Sequence, residues 1–268
     1  MKTYGFIGCG NMGGALARAV CRVTDPKNVY LANRSKDKAD ALAKELGASV
    51  STNEEIAKAC DCIFLGVKPQ MMAEMLSSIR SVLDKRSTPP VLVTMAAALS
   101  IEDIRAMAGT GHIIRIMPNT PVSVGEGVIL YACEDTVADD EKRDFLHVLQ
   151  DAGLLVDMPE KLIDAGSALS GCGPAFAQMF IGALADGAVA CGVPRADATK
   201  LAAQMLLGSA KLTLVSGKDP GALKEAVCSP GGTTIEGVRV LEERAFCGAA
   251  MDAVIAAYDK TLALKQKG

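Results

Sequence analysis

Histidine is scarce, with two in 268 residues, and no cysteines stand in C-x-x-C pairs. Nothing therefore has the spacing of a zinc or iron–sulfur site, and no metal is expected. The nine cysteines (9, 21, 60, 62, 133, 172, 191, 228 and 247) are odd in number and scattered among apolar neighbours, the usage of reduced, buried thiols. An excess of charge of one sign is also lacking. The formal net charge of -3 gives no global attraction to nucleic acid or an anionic membrane, so a small molecule held by a local cluster of donors is the expected partner. No uninterrupted apolar run reads as long enough to span a membrane, and Met1–Gly5 leads straight into a strand without room for a signal peptide; a cytoplasmic protein is expected.

What the sequence does have is material for a core: half its residues are hydrophobic and 22% are charged. From residue 4 to about 130, short apolar runs alternate with amphipathic stretches. Tyr4–Ile7, Val29–Ala32, Cys62–Val67, Val91–Met95 and Ile113–Met117 are strand-like. That alternation predicts an α/β domain with a parallel, doubly wound sheet covered by helices. After about residue 160 strand signals vanish and long Ala-, Leu- and Gly-rich stretches follow, namely Ala175–Cys191, Arg195–Ser216 and Gly248–Lys265. The expected division is a nucleotide-binding domain over residues 1–160 and an all-helical domain over 161–268. The later helices are apolar around much of their circumference, which predicts self-association through the carboxy-terminal helices, as a homodimer or a ring of dimers.

Gly8-Cys9-Gly10-Asn11-Met12-Gly13 fits G-x-G-x-x-G, follows the first strand and opens a helix, the context that makes this pattern a dinucleotide fingerprint. The glycines allow a tight turn and close approach of a pyrophosphate, whose charge meets the free amides of the helix start. The second strand ends in Asn33-Arg34-Ser35-Lys36 with no acid for ribose hydroxyls. A carboxylate would repel a 2′-phosphate, whereas Arg34 offers a planar fork and Ser35 a hydroxyl, so NADPH is favoured over NADH. Val67-Lys68-Pro69 follows another strand, whose carboxyl end should line the ligand crevice. Ala96 and Ala97 are small enough to let the nicotinamide ribose approach, or are loop packing. Asn53 either caps the next helix or reaches the adenosine side. Asn119 either contacts nicotinamide or substrate, or is a turn residue before Thr120-Pro121. Arg115 is read as a structural ion-pair partner within an apolar strand, and His112 and His147 as structural rather than catalytic.

Two more segments carry chemistry, Met117-Pro118-Asn119-Thr120-Pro121 and Ser229-Pro230-Gly231-Gly232-Thr233-Thr234. Together with G-C-G-N-M-G, V-K-P and the G-C-G-P-A-F of residues 171–176, they occur in the order found in the pyrroline-5-carboxylate reductase family, which the chain resembles over essentially its whole length. The resemblance implies a Rossmann domain, a helical dimerisation domain, and an active site between the first domain and the helical domain of a partner subunit. It also implies reduction of 1-pyrroline-5-carboxylate to L-proline, with Ser229, Gly231, Gly232, Thr233 and Thr234 holding the substrate and the Thr234 hydroxyl serving its ring nitrogen. Read physically, Gly231 and Gly232 free the backbone to turn around an anion, and consecutive amides make a nest for a carboxylate. Family members often carry Ser and Tyr where Cys172 and Phe176 stand, so a hydroxyl at either place is not essential here. Two alternatives remain: an NADPH-dependent reductase of another small imine or keto acid, and a non-catalytic NADPH-binding regulator.

Overall fold

Residues buried on both faces of a sheet read as unbroken apolar runs, and the first half of the chain folds accordingly. The computed structural model describes residues 2–265. Its strands are β1 (Tyr4–Ile7), β2 (Val29–Ala32), β3 (Ser49–Val50), β4 (Cys62–Leu65), β5 (Val91–Thr94), β6 (His112–Pro118), β7 (Gly127–Cys133) and β8 (Gly153–Asp157). They form one sheet in the order β3-β2-β1-β4-β5-β6-β7-β8. β1 to β6 are parallel; β7 is antiparallel to β6, and β8 runs parallel to β7. The helices of this half are α1 (Asn11–Val23), α2 (Lys36–Leu46), α3 (Asn53–Ala59), α4 (Pro69–Leu83), α5 (Ile101–Ala108), α6 (Asp139–Val148) and α7 (Glu160–Ser170).

Successive side chains of a strand point to opposite faces, and the core divides along that alternation. Phe6, Phe64, Val93 and Ile114 pack with Leu16 and Val20 of α1 and Phe145 of α6. Ile7, Ile63, Leu65, Leu92 and Ile113 pack on the other face with Leu76 and Ile79 of α4 and Ile104 of α5. Phe6 and Phe64 stack across β1 and β4 at 4.5 Å between ring centroids. Each such fully buried side chain stabilises the fold by about 1.5–3 kcal/mol. The expected parallel, helix-covered sheet is present. The structure adds β3, β7 and β8, and it ends the strand expected over Cys62–Val67 at Leu65, leaving Gly66 and Val67 in the loop beyond it.

The described chain falls into two compact units, one of Met1–Gly171 with the residues from Lys260 on, the other of Cys172–Asp259. α7 packs against β6 and β7 and so stays with the sheet. The second unit holds α8 (Gly173–Ala190), α9 (Arg195–Ser216), α10 (Pro220–Ala226), α11 (Thr233–Glu243) and most of α12 (Phe246–Lys265). Its own buried core is slight, formed by Ala185, Ala198 and Ala202 with partly buried Ile181, Leu184 and Val189 beside them. Large apolar side chains stay exposed on α8 and α9, among them Met179 at 75%, Leu214 at 75% and Val215 at 77%.

One sequence expectation is corrected. The stretch Glu160–Ala190 is long and apolar enough to cross a membrane by length and composition. The reason lies in how it is used: a turn at Gly171–Cys172 divides it into α7 and α8. α7 carries Glu160 and Asp164 into an ion pair with buried Arg115, and apolar α8 belongs to the unit with little core of its own.

Candidate active site

The tight turn after β1 is built from three glycines that touch one another. Gly8 has φ +101, and a Cβ there would lie 2.6 Å from the Gly66 carbonyl. A Cβ on Gly13 would come within 2.1 Å of the Gly8 oxygen, and one on Gly66 within 2.3 Å of the same atom. The start of α1 is thereby pressed against the ends of β1 and β4. Gly10 differs, with nothing within 4 Å of the place its Cβ would take. That is the bare backbone a pyrophosphate needs for close approach. Gly10 is also the N-cap of α1, with no side-chain cap and no acid in the first turn, so the first amides of α1 remain for an anion. The sequence reading missed Gly66; its signal was a glycine directly after a buried strand, facing a glycine turn.

A cleft of about 1070 Å³ opens along the carboxyl ends of β1, β2 and β4, and Gly8, Gly10, Asn33, Arg34, Ser35, Asn53, Val67 and Lys68 are all in its wall. Asn33 links the two halves of this wall: its side-chain oxygen accepts from the Cys9 amide at 3.1 Å and its nitrogen donates to the Ser35 carbonyl at 3.0 Å. Ser35 begins α2 without using its hydroxyl as a cap. Arg34, Lys36, Lys38 and Lys68 are exposed, and among the described residues none has an ion-pair partner. Glu55, in the same wall, is engaged by hydrogen bonds from Ser51 and Thr52, which hold its carboxyl below the usual range. The Cys9 thiol lies under the turn, where burial pushes it up to about 11; it is a neutral packing group.

The cap of α3 is Thr52, whose hydroxyl accepts from the Glu55 amide while Glu55 accepts from the Thr52 amide. This corrects one of the two readings of Asn53: it is the first helical residue, not the cap, and it lines the cleft. Of the other expected cofactor residues, Asn11, Met12 and Gly13 form the first turn of α1, and Pro69 opens α4 behind Lys68. Ala96 is buried and Ala97 exposed in the loop after β5, neither in the cleft wall. Asn119 is buried at the end of β6, where it donates to the Ser170 carbonyl at 2.9 Å and accepts from the Val128 amide at 2.8 Å. Both ends of its side chain are thus occupied inside the protein, and the structure does not bring it to the cleft.

Arg115 has the structural role expected of it. It is 1% exposed, and its guanidinium donates to Glu160 at 3.2 Å and Asp164 at 2.7 Å. His112 meets the carboxylate of Glu141 through Nδ1, and His147 is exposed on α6. In the helical unit, Ser229–Gly232 forms a turn closed by the Gly232 amide donating to the Ser229 carbonyl at 3.0 Å, with Gly231 at φ +67. Gly232 caps α11 without a side chain, and Thr233 and Thr234 are its first two residues. Both threonines are exposed. A helix start without a side-chain cap and two exposed hydroxyls therefore meet in one loop, groups whose chemistry suits an anion.

Comparison with known proteins agrees with this geometry. The family described as pyrroline-5-carboxylate reductase dimerisation matches residues 160–264, and that described as NADP oxidoreductase, coenzyme F420-dependent, matches residues 3–98. Pyrroline-5-carboxylate reductase of Escherichia coli (strain K12) is 40% identical over 264 residues, covering 97% of each chain. The chain belongs to the pyrroline-5-carboxylate reductase family. The reductase of Arabidopsis thaliana is 37% identical over 265 residues, covering 98% of this chain and 95% of that one. Among solved structures, the pyrroline carboxylate reductase of Plasmodium falciparum with NADP bound is 32% identical with a TM-score of 0.86. That of Coxiella burnetii is 29% identical with a TM-score of 0.90. Each covers 98% of both chains. The two family matches thus fall on the two parts of the chain, a Rossmann-like NADP part over residues 3–98 and a helical dimerisation region over residues 160–264.

Proposed function

We propose that this chain is an NADPH-dependent reductase that delivers hydride to the C=N bond of 1-pyrroline-5-carboxylate and forms L-proline, the last step of proline biosynthesis. The observation that carries this reading is the cleft, where Gly10 leaves open space before the start of α1 and where, among the described residues, Arg34 has no ion-pair partner and the Ser35 hydroxyl is not used as a cap. A pyrophosphate fits the former and a 2′-phosphate the latter, since a guanidinium fork matches phosphate oxygens. Asn53, Val67 and Lys68 line the same cleft, and in this reading Asn53 serves the adenosine side and Val67 and Lys68 the second half of the dinucleotide. When bound, the cofactor supplies the hydride.

The protein's own share is to bind, orient and exclude water, with proximity providing a large part of the rate. In this reading the nest of amides from Gly231 to Thr234 takes the substrate carboxylate through Gly231, Thr233 and Thr234, the Gly232 amide being used to close the turn, and the Thr234 hydroxyl hydrogen-bonds the ring nitrogen. The imine must arrive protonated, so turnover falls at high pH. The exposed apolar faces of α8 and α9 support a homodimer, or a ring of dimers, and the cytoplasm is the place of work we propose for it. The test is NADPH oxidation, followed at its absorbance band, with racemic substrate. Rapid turnover is expected in the wild type, with at least a tenfold loss in Thr234→Ala; a folded, NADPH-binding wild type without turnover overturns the reading.

A further inference from the structure

The loop after β5 holds a strained residue away from the glycine turn. Ala98 has φ +66, a left-handed backbone that a residue with a Cβ adopts only when its surroundings fix it, and such strain gathers at functional sites. Both ends of the loop are pinned. At the β5 end, the Ala96 amide donates to the Thr94 hydroxyl at 3.4 Å. At the α5 end, Ser100 and Asp103 form a reciprocal cap, and the amide of Ile101 donates to the carboxylate of Glu160 at 2.7 Å. Glu160 belongs to α7, far along the chain, and the same carboxylate oxygen accepts from Arg115 at 3.2 Å. Arg115 is held in turn by Asp164, one turn further along α7. A buried guanidinium on β6 thus fixes a carboxylate on α7, and that carboxylate fixes the start of α5.

Dinucleotides cross the carboxyl edge of a doubly wound sheet, one nucleotide on each side of the first strand. With the 2′-phosphate placed beside β2, the nicotinamide half falls at the ends of β4 and β5, where the Ala98 loop stands. We propose that Glu160, backed by Arg115, is a positioning residue that sets the Met95–Leu99 loop as the seat of the nicotinamide. The inference rests on the NADPH-dependent reading above. Glu160 touches neither substrate nor cofactor; it acts through Ile101.

Two quantities test it: turnover of the imine, and the fluorescence lifetime of bound NADPH, which reports the confinement of the dihydronicotinamide without any turnover. Glu160→Ala is expected to keep its fold and to bind NADPH within threefold of wild type, because the phosphates are held elsewhere. Its kcat should fall about tenfold and the bound lifetime should shorten. Glu160→Gln, which still offers an oxygen to Ile101, should restore both. Glu160→Asp keeps a charge for Arg115 but is one methylene short of reaching both partners, and should reproduce the loss if the alanine variant does not fold. Unchanged kcat and lifetime in a folded Ala or Asp variant overturn the proposal, as does failure of the glutamine variant to restore them. A wild type that binds NADPH but turns over no imine sinks the proposed reaction, while the lifetime comparison still decides the role of Glu160.

Discussion

Gly10 and Gly13 stand three residues apart in one motif and answer to different neighbours. A methyl group on Gly13 collides with the Gly8 carbonyl, whereas one on Gly10 enters open space. Gly13→Ala should therefore cost about 2 kcal/mol of stability through overpacking. Gly10→Ala should melt like the wild type and weaken NADPH binding roughly tenfold, or about 1.4 kcal/mol; a thermal melt and a fluorescence titration read the two effects separately. The motif made both glycines legible, but their division of labour depends on Gly66, which no spacing rule marks. Buried thiols make a second prediction at this scale. Burial pushes Cys9 and Cys21 from 9.0 to about 11, and Cys60 to about 12. Above about pH 9 the unfolded thiols ionise while the folded ones stay protonated, so the unfolded state binds fewer protons and stability falls as pH rises from there toward 11–12. The melting temperature should drop between pH 8 and pH 10, and less steeply in a Cys9→Ala, Cys60→Ala double variant.

Among the elements, α1 and α9 occupy the residues their patterns indicate, and the glycine turn falls where strand, spacing and helix place it. Elements defined by distant partners were harder to read. β8 is an edge strand whose residues are partly exposed, so it lacks the apolar run that marks β1, β4 and β5. The reversal at β7 depends on pairing with β6, which alternation of apolar runs does not encode. Thr52 and Asn53 are both good caps in isolation, and the choice is made by Glu55, three residues after Thr52, completing the reciprocal box. Asn119 is open to two readings from sequence, a contact to nicotinamide or substrate and a turn residue before Thr120-Pro121; its partner Ser170 closes α7 and was not foreseeable from local sequence. Asn119→Ala should lower stability by about 2 kcal/mol for two lost hydrogen bonds while leaving the NADPH dissociation constant unchanged. A weakened constant without a stability loss would return Asn119 to the cofactor site.

For the whole molecule, the two units earn their stability differently. The sheet unit has a core on both faces, but the helical unit buries only small alanines of its own and exposes Leu207 and Leu214 on α9. Those two leucines lie seven residues apart and so on one helix face. Leu207→Glu with Leu214→Glu should shift the protein to monomers in analytical ultracentrifugation, with NADPH binding retained by the sheet unit; an unaltered oligomer would place the association surface elsewhere. The thinness of that alanine core has a consequence for how the protein comes to exist. A unit that cannot hide its own leucines completes its folding by meeting a second chain, so folding and assembly become one concentration-dependent event. The melting temperature then rises with protein concentration, and a newly made chain remains open to proteases until its partner is abundant enough to find.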